Sequence, residues 1–257
     1  MGHVLLLVSL LLATLVGWWL GRRHQVNPEK LIFRLLLAAL LGARLAFVVR
    51  YFEHYQDAPW RMIDIRDGGF SAWGGLLAAG LLGAWYLWRQ TAMRRALAGG
   101  MAAGLLVWGM GSLVLHSLEQ GTRLPELTLR DVQGQPLELR EKLGRPMVIN
   151  LWATWCPPCR REMPVLAEAQ RAHPGVTFVF ANQGEGAGEV SAYLASQALQ
   201  LDNVLLDSDG ALGQLVGSRA LPTTLFYNAE GRLLGSHLGE LSRASLARAL
   251  EAVKEQP

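Results

Sequence analysis

Cysteine is nearly absent from this 257-residue sequence: Cys156 and Cys159, in a single Cys-x-x-Cys, are the only two. No structural disulfide beyond that pair is open to a monomer, and the pair itself must be redox-active, metal-binding or inert. Histidine is scarce too. Structural zinc takes four Cys or His ligands, and the C-terminal half offers only His173 and His237 besides the thiols, neither at ligand spacing. Copper(I), which two thiolates can hold, is left open by that count. Charge is sparse, at 18% of residues, and unevenly spread: residues 1–120 hold 11 Lys+Arg against 6 Asp+Glu, and residues 121–257 hold 13 against 15. The basic residues flank apolar runs instead of clustering with aromatics on a soluble face, which sets nucleic-acid binding aside.

What the first half has in quantity is apolar length. Residues 4–20 carry no charge and are long enough to cross a hydrocarbon core as a helix. A cleaved signal peptide would have a basic start and a small-residue cleavage site, whereas Met1 to His3 lack Lys and Arg and Trp18-Trp19-Leu20-Gly21-Arg22-Arg23 follows, so a retained helix is expected. Further runs at 31–50, 70–88 and 97–117 give four expected spans. The break after the first has Arg22, Arg23 and Lys30, and the break after the third has Arg89, Arg94 and Arg95, while the middle break mixes acids with Arg61 and Arg66. The positive-inside rule then puts the first and third breaks in the cytoplasm and everything after residue 118 on the outer face. Trp18, Trp19, Trp60, Trp85 and Trp88 fall near span ends, as interfacial anchors do. Glycines at 74, 75, 80, 83, 100 and 104 suit close helix packing. Arg34 and Arg44, inside the second span, are expected to snorkel to its two ends.

The sequence after residue 118 is of another kind. Residues 119–126 read as a linker, and residues 127–257 alternate strand-like and helix-like segments, an α/β pattern. Pro146 to Trp152 suits a strand buried on both faces, and Pro157 to about Arg171 a helix opened by proline, with Pro164 inside it. Val176 to Ala181 reads as a second buried strand, Thr223 to Tyr227 and Arg232 to Leu238 as a hairpin, and Ser242 to Val253 as a final helix. Cys156 then stands at a strand-to-helix junction. Backbone N–H groups and the positive end of the helix dipole favour a thiolate there, so Cys156 is the expected attacking sulfur. Cys159, in the first turn, is placed to resolve the mixed disulfide. Arg160 and Arg161 are expected to be solvated side chains, with added positive potential near the pair as the alternative.

Asn150-Leu151-Trp152-Ala153-Thr154-Trp155-Cys156-Pro157-Pro158-Cys159-Arg160-Arg161-Glu162-Met163-Pro164 resembles the TlpA-like thiol-disulfide oxidoreductases, and the likeness extends over residues 124–257 through Leu127 to Gly134, Leu221-Pro222-Thr223-Thr224 and Asn228-Ala229-Glu230-Gly231. It implies a thioredoxin-like α/β domain behind the α-helical membrane domain. The resemblance also implies a cis bond before Pro222, with Trp155, Leu221 and Pro222 meeting the substrate chain. Thioredoxin itself has an aspartate where Asn150 stands, so another proton acceptor is needed; the resemblance points to Glu185, in Asn182-Gln183-Gly184-Glu185. Gly42-Ala43-Arg44-Leu45 and Asp67-Gly68-Gly69-Phe70-Ser71-Ala72-Trp73-Gly74-Gly75-Leu76 resemble the N-terminal helices of prolipoprotein diacylglyceryl transferase. That family has a histidine where Trp73 stands, and its later arginine-bearing signature is missing, so an anchor without transferase activity is expected. Together these imply a membrane-bound reductase of protein disulfides, such as those of apocytochrome c. The dithiol serves with no further cofactor, is reduced by a membrane electron donor, and faces the periplasm or exterior. Oxidase, isomerase or copper-carrying use of the same dithiol are the alternatives.

Overall fold

A computed structural model describes residues 2–22, 29–120, 122–218 and 220–255. Arg23 of the first basic break and Gly121 of the linker lie outside the described residues. The chain divides into two compact units, Met1–Ile63 with Gly69–Leu118, and Asp64–Gly68 with Glu119–Pro257.

The first unit is built on four helices, α1 (Gly2–Gly21), α2 (Glu29–Arg50), α3 (Ala72–Arg89) and α4 (Arg94–Gln120), the last of which runs two residues into the stretch expected to be linker. Among the described residues, three segments are long and apolar enough to cross a membrane: Val4–Gly21, Glu29–Arg50 and Thr91–Leu115. The expectation of four spans is corrected to three on that measure. α3 falls short because its 18 residues include four glycines, three tryptophans, Tyr86 and Arg89. Five of the six glycines do pack helices, while Gly80 has nothing within 4 Å of where its Cβ would stand. A Cβ on Gly42 of α2 or Gly74 of α3 would collide with the facing helix at Ala78 or Ala46, and one on Gly100 of α4 would meet the Ala13 carbonyl of α1 at 2.7 Å.

Arg44 does not snorkel. It is 9% exposed, and its Nε, Nη1 and Nη2 donate to the carbonyls of Met62 (2.9 Å), Gly69 (2.9 Å) and Arg61 (3.0 Å). The rings of Phe47, Tyr55 and Phe70 surround the guanidinium. A buried cation needs such acceptors, and the segment between α2 and α3 folds back to supply them. Arg34 reaches Tyr86 Oη at 3.3 Å.

The second unit centres on a seven-stranded sheet of β1 (Thr128–Asp131), β2 (Pro136–Glu138), β3 (Met147–Trp152), β4 (Thr177–Gln183), β5 (Val204–Asp207), β6 (Thr223–Tyr227) and β7 (Leu233–Leu238). The strand order is β2-β1-β5-β4-β3-β6-β7, with β3, β4 and β5 mutually parallel and the remaining pairs antiparallel. All six residues of β3 are buried because both faces are covered. Val148 and Trp152 pack with Met163 and Leu166 of α5 (Pro157–Ala172), Val190 of α6 (Ala187–Ser196) and Leu246 and Leu250 of α8 (Arg243–Glu255). Ile149 and Leu151 face the other way, onto Leu139 and Leu212 of the short α7 (Ala211–Leu215). The stretch read as linker is partly built into this unit, since Leu124 N bonds the Gly231 carbonyl at 2.8 Å and Leu233 N bonds the Thr122 carbonyl at 2.9 Å.

Strand register gathers the site at one end of the sheet. Leu151 pairs with Thr223 and Trp152 with Asn182, so the residues just before β6 and just after β4 meet the loop that leaves β3.

Candidate active site around Cys156 and Cys159

β3 ends at Trp152, a three-residue loop follows, and Cys156 caps α5 in an extended backbone conformation with Pro157 opening the helix. Proline suits that first position because its missing N–H would have found no partner in the helix. Cys156 and Cys159 form a disulfide with Cα atoms 5.3 Å apart. The Cys156 sulfur accepts the Cys159 N–H at 3.4 Å, so an unpaired N–H of the first turn is aimed at it. Cys159 is fully buried and Cys156 is 3% exposed, while Trp155 beside them is 67% exposed.

The Leu221–Pro222 bond is cis. Leu221 is half-buried and Pro222 buried, and the Pro222 carbonyl accepts the Gly239 N–H at 2.9 Å. All of the residues expected at the site therefore come from three loops at one end of the sheet: Trp155 to Cys159, Glu185, and Leu221 with Pro222.

Two buried glutamates serve this end differently. Glu185 accepts the Thr154 N–H at 2.7 Å and Asn182 Nδ2 at 2.7 Å on one oxygen, and the Thr154 hydroxyl on the other. Its carboxylate is thus occupied by the turn that precedes Trp155. Glu162, which the sequence reading passed over as a site residue, is 0% exposed in α5, one turn beyond Cys159. It accepts Asn150 Nδ2 at 2.8 Å and the Leu241 N–H at 3.0 Å. Burial pushes its carboxyl up to about 7, against the pull of the Leu241 and Asn150 donors. Asn150 also donates to Thr224 Oγ1 at 3.0 Å, so the residue standing at thioredoxin's aspartate position links β3, α5 and β6. A signal for Glu162 was present in the sequence. Cys159, Glu162, Met163 and Leu166 follow helical spacing on one face, and a carboxylate on an apolar stripe must be neutralised or bonded.

The two arginines after the pair each have a partner in the fold. Arg160 lies over the Tyr193 ring, 5.7 Å from its centroid, and Arg161 pairs with Glu240 at 2.7 Å.

Comparison with known proteins agrees with this geometry. Residues 119–252 match the family model described as Redoxin, and residues 4–112 match that of prolipoprotein diacylglyceryl transferase. The thiol-disulfide oxidoreductase ResA of Bacillus subtilis (strain 168) is 29% identical over 141 residues, which span 54% of this chain and 78% of that protein. Its namesake in Geobacillus kaustophilus (strain HTA426) is 30% identical over 137 residues, 52% of this chain and 78% of the relative. A solved structure of MTB dsbF in mixed oxidized and reduced forms aligns with a TM-score of 0.47 at 26% identity, covering 50% of this chain and 95% of that one.

Proposed function

The chain belongs to the Redoxin family, and from that premise we propose that this thiol-disulfide oxidoreductase reduces protein disulfides outside the cytoplasm while anchored in a membrane by several helices. The observation that carries the reading is the stacking of depths along α5: Cys156 at the cap, Cys159 beneath it, and the buried Glu162 one turn further along the same face.

In the reduced form the Cys156 thiolate attacks one sulfur of the substrate disulfide, and the substrate's other sulfur leaves as a thiolate that takes a proton from water. Cys159 then loses its proton and attacks the Cys156 sulfur. The second substrate sulfur departs, and the pair is left oxidised, as it stands here. Two electrons have passed to the substrate, and a membrane dithiol donor must return them before the next turnover. Glu162 is the proton acceptor for Cys159. A carboxyl titrating near 7 takes a proton from a thiol and returns it without a large free-energy gap on either side. Glu185 acts as a positioning residue, since its carboxylate holds the Thr154 turn that presents Trp155 and Cys156. Exposed Trp155, the Leu221 backbone and Pro222 receive the substrate chain. Oxidised cysteine pairs such as those of apocytochrome c are the substrate class that the resemblance implies.

α3 decides the compartment. If it does not cross, Arg89, Arg94 and Arg95 lie on the outer side and the redox domain in the cytoplasm, against the positive-inside rule. If it crosses, both basic breaks face the cytoplasm and the disulfide stands in a compartment that tolerates disulfides. Its 18 residues reach about 27 Å, close to a hydrocarbon thickness of roughly 30 Å. The outer placement proposed here therefore requires α3, packed on α2 through its glycines, to cross as a further helix less apolar than the three that meet the measure.

The reduction potential of the full-length protein in detergent, equilibrated in thiol redox buffers with Cys159→Ala as the inactive control, tests the direction. A value near that of thioredoxin, about −270 mV, supports a reductase. One near about −120 mV sinks that reading in favour of disulfide formation.

A further inference from the structure

The loop between β7 and α8 is bonded to two parts of the site, Pro222 and Glu162. Gly239 donates its N–H to the Pro222 carbonyl at 2.9 Å, and Leu241, its side chain buried in the core, donates its N–H to Glu162 at 3.0 Å. Between them stands Glu240, which has neither anchor. Its Oε2 accepts both Nε and Nη2 of Arg161, each at 2.7 Å, from the residue of α5 that immediately precedes Glu162. We propose that Arg161 and Glu240 are positioning residues for the buried acid: their ion pair latches the Gly239–Leu241 loop to α5, keeping the Leu241 N–H on Glu162 and the Glu240 charge neutralised. This rests on the reading of Glu162 as the proton acceptor.

The electrostatics give the latch a direction. The Leu241 donor favours the Glu162 carboxylate, and the unscreened charge of Glu240 disfavours it. Other charges lie around the loop: the Asp67 carboxylate accepts the Ser242 hydroxyl at 2.9 Å, and Arg248 of α8 acts on His237 together with Asp67. Asn150 of β3 and Thr224 of β6 are neutral. His237 of β7, which lies 3.4 Å from the Glu240 carbonyl, is held below its ordinary range chiefly by burial and is uncharged at neutral pH. Arg66 feels Glu240 but is itself paired with Asp64 at 2.7 Å, and Arg243 of α8 is paired with Glu168 at 2.6 Å. Losing Arg161 both frees the loop and exposes the Glu240 charge, and both effects raise the point at which Glu162 titrates. Glu240→Gln leaves Arg161 an oxygen to bond while removing the charge, and so lowers it.

The test is the pH profile of Cys156 alkylation by iodoacetamide in the reduced full-length protein. A step near pH 7 that is missing in Glu162→Gln identifies the acid. Arg161→Gln is expected to move that step upward by about half a pH unit, roughly threefold in the ionised ratio at its midpoint. Glu240→Gln moves it downward, and the charge swap Arg161→Glu with Glu240→Arg returns it toward the wild-type position. Opposite shifts from the two halves of one ion pair are not produced by a general loosening of the fold. If Arg161→Gln does not fold, the Glu240→Gln shift decides alone. Steps that coincide with wild type overturn the latch, whereas a step that survives in Glu162→Gln overturns the assignment of the acid instead.

Discussion

In the first unit the buried Arg44 gives all three guanidinium nitrogens to backbone carbonyls, whereas in the second the buried Glu162 meets two donors and is pushed up to about 7. Both are ionisable groups taken out of water, where charge must be matched or surrendered. Arg44 is matched by chain that wraps around it, so its work is structural. Glu162 is matched incompletely, so its proton is exchangeable near neutrality. Glu185 stands on the Arg44 side of this contrast although it lies in the redox domain, because three donors of one small turn and its neighbour hold it. How completely a buried charge is bonded thus separates a scaffold group from a chemical one more sharply than its distance from the cysteines does.

Four measurements break or sharpen that contrast. The largest effect is expected from Cys156→Ser, which lowers disulfide reduction by about a thousandfold or more. Arg44→Met should leave the same rate unchanged in the detergent-solubilised protein, and a matching loss would erase the division of labour. Next, Arg44→Met strips three carbonyls of their donor and should cost the helical unit about 3 kcal/mol, read as earlier unfolding of the helices in a denaturing-detergent titration. Unchanged unfolding would mean that water or lipid replaces the guanidinium freely.

The third concerns Glu162. Its folded-state titration point lies above the ordinary carboxylate value of about 4.3, so the folded chain holds a proton that the unfolded chain has released. Stability from this group is full below that ordinary value, falls as pH rises toward 7, and is gone above it. Relative to Glu162→Gln, the wild type should lose on the order of 2 kcal/mol between pH 4.5 and 7.5 in urea unfolding. Parallel pH curves would show that Glu162 is matched as fully as Arg44. The smallest effect is a coupling of about 1 kcal/mol between Thr154→Val and Glu185→Gln in a double-mutant cycle, with the pH profile of alkylation unmoved. A profile that shifts in Glu185→Gln would make Glu185 a proton carrier as well.

Much of this was legible in the residues. The apolar run from Pro146 and the proline-led helix behind it put Cys156 at a helix cap, because strand burial and capping are local consequences of sequence. Glu162 does not stand out in the sequence as a site residue, because Asn150 occupies the position where thioredoxin carries its acid. What makes Glu162 matter is a donor from Leu241, 79 residues away, which no local pattern displays. The snorkelling expected of Arg44 failed for the same reason, as its acceptors at Met62 and Gly69 belong to a separate segment. α7 is not legible in the sequence because its five residues are too few for a helical period to show.

Cys159 is fully buried and bonded to the slightly exposed Cys156, and this has a kinetic meaning. Cys159 attacks the mixed disulfide from within the same chain, so release by this route is a unimolecular event whose rate is set by local geometry and not by the concentration of a reagent. The depth of one sulfur below another works as a timer, and a substrate that leaves slowly is one that holds the two apart.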